Sequence, residues 1–243
     1  MTALHVETWG DHGDPAVLVH GSLGWGAETW AAQRPLAERY RLHLVDRHGF
    51  GSSPGPDAGD FERDADAVAE LLPGRAHLVG HSYGGVVSLL AAALTPDLLS
   101  TLTVIEPPAF GLAADDPAVK EIMAAFTAGY SREPAGYLEF FLPLVGAAFR
   151  APEPLPPALE AGARAAIAER YPSEAEIPFE VLRAAPFRKL VVSGGHHPAF
   201  DAVCDVLERE LEAERAVIPG AGHSVARTGE PFNRVLVDFV ERG

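Results

Sequence analysis

Five short runs of aliphatic residues recur along this chain, each ending in a glycine or a polar residue. They are Ala16–His20 (AVLVH), Leu42–Asp46 (LHLVD), Ala76–Gly80 (AHLVG), Thr101–Glu106 (TLTVIE) and Leu190–Ser193 (LVVS). Runs of four to six apolar residues without polar alternation suit strands buried on both faces, the situation of a parallel sheet covered by helices. Longer segments with helical periodicity separate most of them, the signature of an α/β fold. Phe61–Leu72 reads as a helix behind an Asp60 N-cap and ends before Pro73-Gly74. Gly84–Leu94 is apolar nearly all round and reads as a buried helix. Phe200, Val203, Leu207 and Leu211 mark one face of another, and Phe232–Val240 closes the chain. Arg215–Ile218 adds a further strand, and Leu4–Trp9 an antiparallel one at the start.

One region breaks this rhythm. Between Pro107 and Pro186 the chain is rich in Ala, Pro and aromatics, including Phe126, Tyr130, Tyr137, Phe140, Phe141 and Phe149, with helical patterns and no strand. The expected organisation is therefore a core domain from residues 1–106 and 187–243, interrupted by a helical insertion over 107–186. Its aromatics serve either as the insertion's own small core or as the lining of an apolar pocket beneath a lid.

Composition narrows the class of function. Nineteen Lys and Arg against 34 Asp and Glu give a net charge of −15, the wrong sign for phosphate contacts or an anionic membrane surface. A single cysteine, Cys204, excludes an internal disulfide. The first residues lack the basic and apolar regions of a secretory signal, and no apolar stretch reaches about 18 residues. The expectation is a cytoplasmic protein acting on a small-molecule substrate, with no nucleic-acid or membrane partner.

The stretch Leu78–Val86, LVGHSYGGV, places G-x-S-x-G between a strand and a buried helix. Small residues at 80 and 84 allow a sharp turn that exposes Ser82 on a strained bend. The first N–H groups of the following helix then face any negative charge developing there. Ser82 is the candidate nucleophile.

With this motif the chain resembles the α/β-hydrolase fold family in its compact, lidded, cofactor-free form. His20-Gly21-Ser22 resembles the family's H-G loop, and the turn from Asp46 to Ser53 (DRHGFGSS) its D-x-R-G-x-G-x-S segment. Gly220-Ala221-Gly222-His223 resembles the late G-x-G-H that carries the catalytic histidine. The resemblance covers residues 15–243. It implies a mostly parallel twisted sheet with helices on both faces, a serine nucleophile at Ser82 and a general base at His223. It also implies an oxyanion hole from the backbone N–H of Tyr83 with that of Ser22 or Leu23, and neither cofactor nor metal. Epoxide hydrolases and haloalkane dehalogenases of this fold carry Asp where this chain has Ser82.

The third member of a triad is not where the family usually keeps it. The aspartate expected after the Leu190–Ser193 strand falls on His197, in GGHHP. Glu106, at the end of the preceding strand, is one substitute, since some members of the family place their acid there. It would equally serve as a loop clamp accepting backbone hydrogen bonds. Asp201 is the alternative acid, and an arrangement with no conventional acid stays open. His196 and His197 carry no expectation of metal binding, because adjacent side chains diverge and no nearby Cys or carboxylate cluster completes a site. The reading is a carboxylic ester hydrolase acting on an ester, lactone or thioester of a small, largely apolar molecule. Its rivals are C–C hydrolysis, cyclisation or lyase chemistry at the same site, or a small-molecule-binding member of the fold without turnover.

Overall fold

The computed structural model describes residues 4–55, 58–147 and 149–242. Seven strands form one sheet: β1 Val6–Trp9, β2 Pro15–Val19, β3 Arg41–Val45, β4 Ala76–His81, β5 Leu99–Ile105, β6 Arg188–Ser193 and β7 Glu214–Val217. Their order is β1-β3-β2-β4-β5-β6-β7, with β1 antiparallel to β3 and every other pairing parallel. The apolar runs become strands because both faces are covered. Val17, Val19, Leu78, Leu102 and Val104 enter one core layer, whereas Ala16, Leu18, Val79, Ile105 and Val192 enter the other.

The first layer is covered by α2 (Phe61–Leu71), α3 (Tyr83–Leu94), and α7 and α8 (Phe179–Ala184 and Pro198–Leu211). The second is covered by the segment running from the short α1 (Gly26–Thr29) through Leu36, and by α9 (Glu230–Glu241), through Trp30, Phe232, Leu236 and Phe239. Asp60 caps α2 by accepting from the Glu62 and Arg63 N–H groups at 2.9 and 3.0 Å. His197 caps α8 instead of an acid: its Nδ1 accepts from Ala199 N–H at 3.1 Å, with Pro198 at the first helical position.

Between β5 and β6 no strand is found among the described residues. The helices α4 (Pro117–Gly129), α5 (Pro134–Leu144) and α6 (Pro157–Ile167) follow one another there, and α7 precedes β6. Tyr137, Leu138, Ala163 and Ala166 form a small apolar cluster of their own between α5 and α6. α7 behaves differently, because Leu182 is fully buried in the main core with α3 and α8. Phe149 joins the α5–α6 cluster from its edge.

Candidate active site

The three candidate triad residues follow the C-terminal ends of β4, β5 and β7, on the edge of the sheet where open α/β folds present their chemistry. Ser82 follows β4 with φ 54° and ψ −125°, outside the common regions for a residue with a side chain. Such a conformation costs about 1–3 kcal/mol and persists where the surroundings hold it. Here Ser82 N–H donates to Ile105 O at 2.8 Å, and the turn closes as Gly85 N–H donates to Ser82 O at 2.8 Å. A Cβ on Gly84 would lie 2.4 Å from both Val19 O and His20 O, so only glycine lets α3 start this close to β2.

Glu106 directly follows β5 with φ 46° ahead of Pro107, and its N–H donates to Val192 O at 3.0 Å. Its side chain is 1% exposed. His223 lies in the loop after β7, its ring packed against Phe200 with centroids 4.7 Å apart. These elements bring the side chains into one line. His223 Nε2 stands 2.9 Å from Ser82 Oγ, and His223 Nδ1 stands 2.8 Å from Glu106 Oε2. The tautomer with a proton on Nδ1 donates to Glu106 and leaves Nε2 to accept from the Ser82 hydroxyl.

The other oxygen of Glu106 accepts Gly194 N–H at 2.6 Å, so the carboxylate also clamps the loop after β6. His196 Nδ1 comes within 3.3 Å of the same Oε1, in a geometry short of a hydrogen bond. Burial alone pushes this carboxyl up. The neighbouring imidazoles of His196 and His223 and the Gly194 N–H outweigh it and hold Glu106 at about 2, ionised at neutral pH. His81, behind the nucleophile, donates through Nε2 to His223 O at 2.9 Å, and burial holds its imidazole neutral, near 3.

Asp201 lies elsewhere. Its Oδ1 accepts from Ser193 Oγ at 2.6 Å and pairs with Arg215 Nη2 at 3.2 Å, bracing β6 and β7 against α8. The expectation that no cluster of ligating groups forms around His196 and His197 is qualified by a contact distant in sequence. β5 runs next to β6, so Glu106 stands against His196, and ligand atoms of Glu106, His196 and His223 fall within 4.8 Å of one another. His197 turns away to cap α8.

Ser22 and Leu23 belong to the loop after β2, and among the described residues neither backbone N–H is engaged in a hydrogen bond. Leu23 has φ 76°, and Gly21 packs directly on the nucleophile: a Cβ there would lie 2.7 Å from Ser82 Cβ. Tyr83 is the first residue of α3, where a helix has N–H groups without intrahelical acceptors. The loop rests on Arg47, whose guanidinium is fully buried. Arg47 Nε donates to His20 O at 2.9 Å and Nη2 to Gly21 O at 3.2 Å, and its backbone N–H donates to His20 Nε2 at 3.0 Å. Asp46 supports the neighbouring turn by accepting from Gly26 and Ser52 N–H.

A cavity of about 80 Å³ opens over Ser82 and His223. Ile122, Met123, Phe126, Phe141 and Val145 line it from the segment between β5 and β6, and Phe200 from α8. Tyr137 and Phe141 of that segment pack in the α5–α6 cluster and also face this space. Glu169, just after α6, is a lining residue that sequence motifs do not single out.

The sequence model of the Alpha/beta hydrolase family matches residues 16–235, and the chain belongs to that family. Among its relatives is the pimeloyl-[acyl-carrier protein] methyl ester esterase of Serratia marcescens. It is 34% identical over 146 residues, which are 59% of this chain and 57% of that protein. The protein of the same name from Aeromonas salmonicida (strain A449) is 40% identical over 111 residues, 44% of this chain and 43% of that one. The chain therefore spans about half the length of these curated relatives. Similar solved structures extend further. Est816, described as an N-acyl homoserine lactone degrading enzyme, superposes with a TM-score of 0.73 at 25% identity, covering 97% of this chain and 96% of the other. An alpha/beta hydrolase from Sphaerobacter thermophilus DSM 20745 does so at 0.70 and 26%, covering 97% and 95%. Among the described residues no helix is long and apolar enough to cross a membrane.

Proposed function

We propose that this chain is a serine hydrolase that cleaves an ester, lactone or thioester of a small, largely apolar molecule. The observation that carries this reading is the unbroken line Ser82 Oγ–His223 Nε2–His223 Nδ1–Glu106 Oε2, at 2.9 and 2.8 Å, opening into an apolar cavity. Relatives named as methyl ester esterases, and a neighbour described as degrading an acyl lactone, support ester chemistry. The working setting is the cytoplasm, in keeping with a lone buried thiol at Cys204.

In this reading Ser82 Oγ attacks the carbonyl carbon while its proton passes to His223 Nε2. The carbonyl π electrons move onto oxygen, and that oxyanion accepts hydrogen bonds from Tyr83 N–H and from Ser22 or Leu23 N–H. One such donor contributes about 2.7–4 kcal/mol to lowering the barrier. The ionised Glu106 stabilises the imidazolium formed on His223 and keeps its ring in the tautomer that serves as base. As the tetrahedral adduct collapses, the bond to the leaving oxygen or sulfur breaks, and that atom takes the proton from Nε2. Water then gives a proton to His223 and its oxygen to the acyl carbon, Ser82 recovers its proton, and the acid departs. The domain reading accompanies this chemistry: the insertion over 107–186 supplies the apolar wall and acts as the lid, with α7 counted structurally with the core.

A fluorophosphonate probe and p-nitrophenyl butyrate test the proposal. The wild type should be labelled at Ser82 and hydrolyse the ester, and Ser82→Ala should lose both, with turnover down roughly 10⁶-fold. Turnover by Ser82→Ala near the wild-type rate overturns the acyl-enzyme route. Labelling without ester turnover would move the site to a non-ester reaction.

A further inference from the structure

Among the described residues, Glu169 is the only acidic side chain on the lining of the apolar cavity over Ser82. It comes from the insertion, immediately after α6, yet its carboxylate is buried against the core. Oε1 accepts from Arg47 Nη2 at 2.6 Å, and Oε2 accepts from the hydroxyl of Ser22. Arg47 in turn donates to the carbonyls of His20 and Gly21. Three consecutive residues of the loop that faces the nucleophile are thus held by one guanidinium–carboxylate pair, and half of that pair is supplied by the insertion.

The insertion meets this loop by a second route as well. A Cβ on Gly162, in α6, would lie 2.5 Å from Leu23 O, so the helix backbone touches the loop directly. The Glu169 segment is also tied to the core backbone, with Gly59 N–H donating to Ala168 O at 3.0 Å and Arg170 N–H to Gly59 O at 2.9 Å. These backbone contacts anchor the insertion without help from a charge. An ionised carboxylate is a costly anchor in such a place, and a well-packed apolar residue would often be as stable. Burial indeed pushes the Glu169 carboxyl up, despite the guanidinium beside it. Its distinctive contribution is geometric: a fixed acceptor for the Ser22 hydroxyl, one residue beyond the glycine that packs on Ser82.

We propose that Glu169 is a positioning residue for the oxyanion loop, reaching from the insertion to fix Ser22 so that the Ser22 or Leu23 N–H meets the charge developing on the substrate carbonyl. The inference rests on the serine-hydrolase reading above. The insertion then not only roofs the cavity but also helps to shape the electrostatic site beneath it. Loss of the carboxylate should weaken binding of the tetrahedral state more than binding of the ground state.

The test uses full-length Glu169→Ala, Glu169→Gln, Ser22→Ala and the Ser22→Ala/Glu169→Ala pair, each checked for a wild-type circular dichroism spectrum. Two readouts are taken: kcat and KM on p-nitrophenyl butyrate, and inhibition by an alkyl trifluoromethyl ketone, which forms an oxyanion-bearing hemiketal on Ser82. Glu169→Ala should lower kcat by about 10- to 100-fold, raise the ketone's inhibition constant by a similar factor and leave KM within about threefold. Glu169→Gln, which keeps an acceptor for Ser22, should recover part of the loss. Ser22→Ala should reproduce the loss, and the double variant should be no worse than either single one, because one bond joins them. The proposal is overturned by a Glu169→Ala kcat within twofold of wild type, by a kcat loss not mirrored in ketone affinity, or by additive single effects. If Glu169→Ala does not fold, Ser22→Ala decides alone, since it leaves the Arg47–Glu169 pair intact. Failure of the parent reading looks different: Ser82 would then take no fluorophosphonate label in the wild type.

Discussion

Asp64 and Glu106 are both 1% exposed, and both accept a hydrogen bond from an imidazole, yet only one of them has a guanidinium on it. Asp64 Oδ1 stands 2.7 Å from His48 Nδ1, while Oδ2 pairs with Arg47 Nη1 at 2.9 Å. Glu106 has His223 on one oxygen and Gly194 N–H with His196 on the other, and among the described residues no Lys or Arg pairs with it. A carboxylate neutralised by a fixed arginine has little charge left to offer a neighbouring imidazole. One held ionised by imidazoles and a backbone N–H, with no guanidinium on it, keeps its charge for the moment the imidazole becomes a cation. A carboxylate–histidine contact thus makes a brace beneath the nucleophile loop in one place and, in the proposed mechanism, a proton-handling pair in the other. The surrounding cations, more than the carboxylate–histidine contact, separate the two roles.

The contrast can be broken by experiment. Glu106→Gln keeps the shape of the side chain and removes its charge, so kcat on p-nitrophenyl butyrate should fall by roughly 10⁴-fold with the fold intact. Asp64→Ala should act chiefly on stability. It leaves Arg47 buried with half its charge partners, a defect worth about 3–5 kcal/mol in urea unfolding. If Asp64→Ala instead lost activity without losing stability, the division of labour proposed here would be wrong.

Acid unfolding sharpens the same comparison. Glu106 titrates at about 2 in the folded protein against an ordinary 4.5, so it contributes stability that is complete above pH 4.5 and lost as the pH falls toward 2. The contribution is on the order of 3 kcal/mol, and urea midpoints taken between pH 5 and pH 2.5 should fall less steeply for Glu106→Gln than for wild type. The smallest effect belongs to Asp201→Asn, expected to change kcat by less than about threefold, because Asp201 is engaged with Ser193 and Arg215 rather than with His223. A large loss of turnover there would return Asp201 to the list of acids.

How far these roles can be read from sequence depends on the range of the interaction. The strands were legible because a buried parallel strand shows itself within five or six residues, as AVLVH and AHLVG do. Ser82 sits in a local strand–turn–helix pattern, and His223 in a short glycine loop. The acid has no comparable local mark. Glu106 and Asp201 are rivals in sequence, and only the adjacency of β5 and β6 separates them by putting Glu106 117 positions from, yet beside, His223. His197 stands where an aspartate was expected and takes up helix capping, a task an aspartate also performs. Glu169 had no signal at all within the alanine-rich AAIAER stretch. The nearest clue is Arg47, since an arginine in a motif beside the nucleophile loop needs buried anions, and Asp64 accounts for one.

In the proposed mechanism Glu106 holds the base. Proton NMR of the His223 imidazole in water reads this directly, because an Nδ1–H donated to a buried carboxylate resonates well downfield of the amide envelope. Such a resonance is expected in wild type and in Asp201→Asn, and its loss in His223→Gln and in Glu106→Gln. A downfield proton that survives Glu106→Gln but disappears in Asp201→Asn would contradict it.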